Sequence, residues 1–201
     1  MNSLKQHARA VTPPLTSTTS STYPALMRYS FSTGTFYFRD LAWCLRLAQQ
    51  AGFDGVEYVI GPDYFIRGEA ALARVARSHS SRVLSLHPPF VVFSRLPGVP
   101  WPKQGISSWP RTMRAAAALG APMAVTHTVS LFSWQSPRAE RYRAALKQGR
   151  EAAPHVELTI ESPQRGRRRV TLLDDLRALV DLAGEQQCGI TLDTCHAGHN
   201  G

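Results

Sequence analysis

The chain has few cysteines, few acids and no long apolar run, and each shortage removes a class of protein. Three cysteines, Cys44, Cys188 and Cys195, are an odd number without paired spacing. That argues against a disulfide scaffold and for a reducing, cytoplasmic compartment. No stretch approaches the roughly 18–20 uninterrupted apolar residues of a membrane helix, and the N-terminus lacks the apolar run of a secretory signal. No membrane partner is therefore expected. Only 14 Asp and Glu stand against 23 Lys and Arg, for a formal charge of +9. Such an excess can mark a nucleic-acid surface, because clustered cations release counterions from phosphates. Its distribution favours a solvated basic surface instead. The first 39 residues hold no acid, Arg165-Gly-Arg-Arg-Arg169 adds a short run, and the remainder mixes both signs.

What is present fits one globular domain. With 201 residues and 43% hydrophobic content the chain can bury a full core. Residues 1–25, with Pro13-Pro14 and a Ser/Thr run, have little to bury and read as a disordered leader, leaving 26–201 as the domain. Strand patterns occur at Met27 to Ser32, Gly55 to Ile60, Arg82 to Leu86, Met123 to Thr126, Val156 to Ile160 and Gly189 to Leu192. Between them, helical patterns start at Leu41 and end near Gly52, then run from Glu69 to Ser78, Thr112 to Leu119 and around Ala139 to Glu151. The last begins at a Thr171/Asp174 capping box, with Leu172, Leu173, Leu176, Leu179, Val180 and Ala183 as its expected buried stripe. The segment from His87 to Arg111 is too proline-rich for a continuous helix. Alternating strands and helices predict an α/β chain with parallel strands. An open doubly wound sheet would carry a glycine-rich phosphate loop after its first strand, and Phe31-Ser-Thr-Gly34-Thr-Phe36 is not one. The expected architecture is a (β/α) TIM barrel, incomplete, with about six of its eight β/α units.

Four hard ligands follow the apolar runs: His87, His127, Glu161 and Asp193, separated by 40, 34 and 32 residues. A strand, a helix and two loops take about 30 or more residues, so this period gathers the four side chains at one end of a parallel barrel. His196 follows Asp193 by three residues. Carboxylate oxygen with imidazole nitrogen suits zinc or manganese, and carboxylates alone lean toward magnesium. Cys195 is a soft donor whose side chain is expected to point into the barrel wall. His127, between two threonines, also fits a hydrogen-bonded structural role. Glu161 is costly to bury at a strand rim unless a cation or donors satisfy it. Glu57, within an apolar run, faces the same cost and can hydrogen-bond a substrate or a neighbouring strand.

Four segments occur in order: Ala51-Gly-Phe-Asp54-Gly-Val-Glu57, His87-Pro-Pro-Phe90, Glu161-Ser-Pro163 and Asp193-Thr-Cys-His196-Ala. From about Met27 to Gly201 the chain resembles the xylose isomerase-like TIM barrels, which include sugar-phosphate isomerases and epimerases and the type IV apurinic endonucleases. The resemblance implies Glu161 and Asp193 as metal ligands and His196 on either substrate or a further metal; His87 and Glu57 are also expected at the substrate, and the isomerase branch implies Glu161 moving a proton to form an enediolate. Its substrate is a small sugar or sugar phosphate and its cofactor a divalent Mn, Zn or Mg ion. The endonuclease branch implies three zinc ions with His87 and His127 as ligands, acting on DNA, but its G-A-H-V-S start and H-A-F-A-A-G-Y-D continuation are missing. The H-x-D motif and eighth-strand carboxylate of the family are also missing. A chain ending after six units is expected to bind metal weakly and turn over little. On that view it is a non-enzymatic barrel fragment, or a piece whose open edges are covered by a second copy or another polypeptide.

Overall fold

A computed structural model describes residues 27–90, 108–127, 137–162 and 172–194; the expected leader and Cys195 and His196 lie outside these residues. The described residues contain six strands: β1 (Ser30–Ser32), β2 (Gly55–Val59), β3 (Arg82–His87), β4 (Met123–His127), β5 (Glu157–Glu161) and β6 (Gly189–Thr191). Each pairs in parallel with the next in sequence, giving the order β1-β2-β3-β4-β5-β6 without a reversal. That is the strand order of a barrel and not of a doubly wound sheet. The sheet is also curled. Residues of its two outermost strands, Ser32 and Thr191, line one cavity together with His87 and His127 from its middle.

Helices α1 (Leu41–Ala51), α2 (Pro62–Arg67), α3 (Glu69–Ser78), α4 (Trp109–Leu119), α5 (Pro137–Ala152) and α6 (Leu172–Gln186) fill the connections. α1 forms where it does because Asp40 caps it, accepting from the Trp43 N–H at 2.8 Å, and Gly52 closes it with φ of 77°. Its Leu41, Cys44, Leu45 and Ala48 are buried on one face. Gly120, at φ 73°, closes α4 in the same way. Among the described residues no helix is long and apolar enough to cross a membrane.

The strands divide their side chains between two environments. Val56, Tyr58, Leu86, Ala124, Leu158 and Ile160 are buried beneath the helices with Leu72, Met113 and Leu146. Each large aliphatic side chain so buried contributes about 1.5–3 kcal/mol. Trp109 and Tyr142 lock α4 to α5 edge-to-face, 4.7 Å between centroids. The opposite face of the sheet is mostly polar, carrying Ser32, Glu57, His87, His127, Glu161 and Thr191 together with Val59 and Val125.

Several boundaries differ from the sequence reading, each for a local reason. β1 is shorter, because the Tyr29 backbone is occupied by Asp54: Tyr29 N–H donates to the Asp54 carboxylate at 2.8 Å, and Asp54 N–H to the Tyr29 carbonyl at 2.9 Å. Val156 belongs to the turn before β5, its N–H bonded to the Ala153 carbonyl at 3.0 Å. α2 follows the Gly61-Pro62 strand stop, with proline in its first turn, where no intrahelical N–H is lost. Pro110 likewise lets α4 start at Trp109. Val180 is exposed, not part of a buried stripe, while Leu182 and Ala183 are buried. At about 100° per residue Val180 lies roughly 200° from Leu182, so both cannot face the core.

Gly55 shows how tightly β2 and β3 approach, beside a register shift between Val56 and Glu57. A Cβ there would come within 2.1 Å of the Arg82 carbonyl oxygen and 2.9 Å of Leu84. Gly55→Ala is expected to destabilise the fold by about 1–3 kcal/mol or more, as overpacking does, read from the urea midpoint. An unchanged midpoint would contradict this account of the contact.

Candidate functional site

The carboxyl ends of all six strands open onto one cavity of about 660 Å3, with Ser32, Val59, His87, His127, Glu161 and Asp193 among its lining. His87, His127 and Glu161 are the last residues of their strands, and the β4–β5 ladder sets His127 directly opposite Glu161. Their donor atoms all lie within 4.8 Å of one another. The two histidine Nε2 atoms are 2.6 Å apart, and Glu161 Oε2 lies 3.5 Å from that of His127 and 3.8 Å from that of His87. His87 and Glu161 are buried, whereas the His127 side chain is half-exposed.

His87 is held in one tautomer. Its Nδ1–H donates to the Pro88 carbonyl at 2.7 Å, so the neutral ring presents the Nε2 lone pair to His127 and Glu161. A backbone acceptor behind an imidazole is the arrangement that orients metal-ligating histidines. At 2.6 Å both Nε2 atoms cannot carry protons, so the space between them takes one proton or one cation. Burial pushes the His87 imidazolium down, but the Glu161 carboxylate beside it, the Glu57 charge and the Pro88 carbonyl together outweigh that, leaving its pKa raised.

The donor set fits a divalent ion of the zinc or manganese kind. A tetrahedral ion with bonds of about 2.0–2.1 Å places its donors about 3.3 Å apart. The two Glu161 separations, 3.5 and 3.8 Å, are close to that spacing, and the 2.6 Å between the imidazoles is shorter, so the two rings would have to part to admit the ion. Imidazole donors make magnesium the least suited of the three expected ions.

The other expected site residues are distributed around this cluster. Asp193 and Glu57 line the same cavity but stand outside the three-donor group. Glu57 accepts from the Ser85 hydroxyl at 3.4 Å. His196 and Cys195 lie outside the described residues. Two supporting residues give no sequence signal of their own. Ser162 donates its N–H to the Thr191 carbonyl at 2.8 Å and accepts the Asp193 N–H on its hydroxyl at 2.9 Å, tying the ends of β5 and β6 together. Thr33 accepts the Val59 N–H at 2.8 Å and does the same for β1 and β2. A serine and a threonine after a strand are too common to single out.

In metal-free protein, His87 is expected to titrate above the ordinary 6.5. Glu161→Gln should move it down, since burial then acts with less opposition. A raised folded-state value means the interaction stabilises the fold fully below about pH 6.5 and fades as pH rises through the folded value. NMR titration of the ring protons, assigned with His87→Asn, checks the direction; a midpoint that Glu161→Gln leaves in place would refute it.

A sequence profile for the xylose isomerase-like TIM barrel matches residues 45–201. An uncharacterised protein of Mycobacterium tuberculosis is 30% identical over 142 residues, covering 69% of this chain and 47% of its own length. One of Mycobacterium leprae is 27% identical over 137 residues, covering 68% and 47%. The chain thus spans about half the length of the curated relatives it matches. Among solved structures, an E. coli 3-keto-D-glucoside 4-epimerase superposes with a TM-score of 0.57 at 16% identity, over 86% of this chain and 70% of that one. A Thermus thermophilus protein soaked with zinc chloride gives 0.56 at 22%, over 85% and 67%. At these identities the structural likeness establishes the fold, and the profile match over more than half of the sequence establishes the family. This chain belongs to the xylose isomerase-like TIM barrel family.

Proposed function

We propose that the cavity is a divalent-metal site for isomerising or epimerising a sugar by proton transfer. The observation that carries the reading is the convergence of His87, His127 and Glu161 at the carboxyl ends of three adjacent strands. His87, His127 and Glu161 would hold the ion, and Asp193 on the same rim would complete its shell. When bound, the ion supplies Lewis acidity that stabilises negative charge developing on adjacent sugar oxygens.

The remaining work falls to the protein. Glu161, buried and beside two imidazoles, would take the proton from the carbon next to the carbonyl and return it to carbon. Glu57 and Ser32, which line the same cavity, would offer hydrogen bonds to substrate hydroxyl groups. The Pro88 carbonyl keeps His87 oriented throughout. That one structural neighbour is a sugar epimerase and another was soaked with a zinc salt supports the choice of chemistry.

Two measurements test the reading. Calorimetry should detect zinc or manganese binding that weakens at least about tenfold in His127→Ala and in Glu161→Gln, the scale on which even supporting residues of a metal site act. Incubation of the metal-loaded chain with ketoses and aldoses in deuterium oxide should exchange the carbon-bound proton beside the carbonyl, and Glu161→Gln should abolish the exchange. Metal affinity indifferent to both variants would defeat the reading.

One observation favours a second reading. His87 and His127 meet at Glu161, and these two histidines are among the ligands that the endonuclease branch requires, along with further residues downstream. Under it the same metal-loaded chain would cut abasic DNA and not exchange sugar protons, and Glu161→Gln would abolish the cutting.

A further inference from the structure

Three aromatic rings lead from the cavity wall toward solvent. Phe90 lines the cavity, and its ring centroid lies 6.2 Å from that of His87. Tyr37 packs on Phe90 at 4.8 Å with 37° between the planes, and Phe38 meets Tyr37 edge-on at 5.7 Å. Phe90 is 41% exposed and Phe38 is 86% exposed. The middle ring is fixed, because the Tyr37 hydroxyl donates to the Ile60 carbonyl at 3.2 Å. Gly34 makes room for the inner ring, since a Cβ there would come within 3.0 Å of the Phe90 ring tip.

Core packing does not account for this arrangement. A buried ring stabilises the fold, but an 86% exposed phenylalanine contributes little and exposes apolar surface. Its value lies in what it can contact. One face of a sugar ring is a patch of C–H groups with slight positive charge, which packs on the negative face of an aromatic ring. A sugar held at the histidines meets Phe90. Phe38, two ring contacts further out, is left for something longer.

We propose that Phe90, Tyr37 and Phe38 form a track for a second sugar ring, so that the substrate is a glycoside or disaccharide in preference to a free monosaccharide. This rests on reading the cavity as a sugar site. A preorganised track of this kind raises affinity because the rings lose little freedom on binding.

The test is calorimetric titration of the manganese-loaded full chain with glucose and galactose and with cellobiose, maltose and lactose. At least one disaccharide is expected to bind about three- to tenfold more tightly than its monosaccharides, the effect of one added ring contact. Phe38→Ala, at a surface position whose loss leaves the core intact, should erase that preference. Equal affinities in the wild-type chain, or a preference that survives Phe38→Ala, would overturn the track while leaving the sugar site standing. Binding of no sugar at all would overturn both. Abasic DNA affinity that drops in Phe38→Ala without sugar binding would also overturn the track, assigning these rings to base stacking.

Discussion

His127 stands directly opposite Glu161 in the β4–β5 ladder, and the chemistry of the cavity depends on that register. Successive strand residues point to opposite faces, so a slip of one residue in β4 or β5 would turn a ligand outward under the helices. Five consecutive paired positions, from Met123 with Glu157 to His127 with Glu161, fix it. Thr126 and Thr159 reinforce it: the Thr126 hydroxyl donates to the Thr159 carbonyl at 2.9 Å and the Thr159 hydroxyl to the Ala124 carbonyl at 3.3 Å. The apolar faces of the same strands, Ala124, Leu158 and Ile160, make the alternative register unfavourable, since a slip would bring buried aliphatic groups to the polar cavity. The core and the site therefore select the same alignment.

The polar interior is the other side of this division. Barrel interiors are commonly packed with branched aliphatic residues. Here Ser85 reaches Glu57, and the Thr159 and Thr191 hydroxyls meet at 2.7 Å. Small hydroxyl residues satisfy one another and their neighbours and leave volume above them. They also give the buried Glu161 carboxylate polar surroundings, where a cation and a proton compete for the same lone pairs.

How much of this could be read from the sequence depends on the range of the interaction. α3 matched residue for residue from Glu69 to Ser78, and β2 to within one residue, because periodicity and the flanking glycines are local signals. Spacing placed His87, His127 and Glu161 at strand ends because the β/α repeat has a nearly fixed length. It could not tell that these three would cluster while Asp193 beyond β6 and Glu57 deeper in β2 stand apart from them, since that depends on how far the sheet curls. Nor could it give the short α2 or the tie made by Ser162. Val180 misled because an apolar residue on the flank of a helix reads like one at its centre.

Ser162 has one further consequence. Its backbone and hydroxyl grip the end of β6 immediately after the strand residue that carries the buried carboxylate. The terminal turns of β5 and β6 are thereby coupled as a single mechanical unit. A change in the chain at Asp193 therefore acts on the backbone next to Glu161, and through the β4–β5 ladder on His127, whereas the His87 ring is oriented by its own bond to the Pro88 carbonyl.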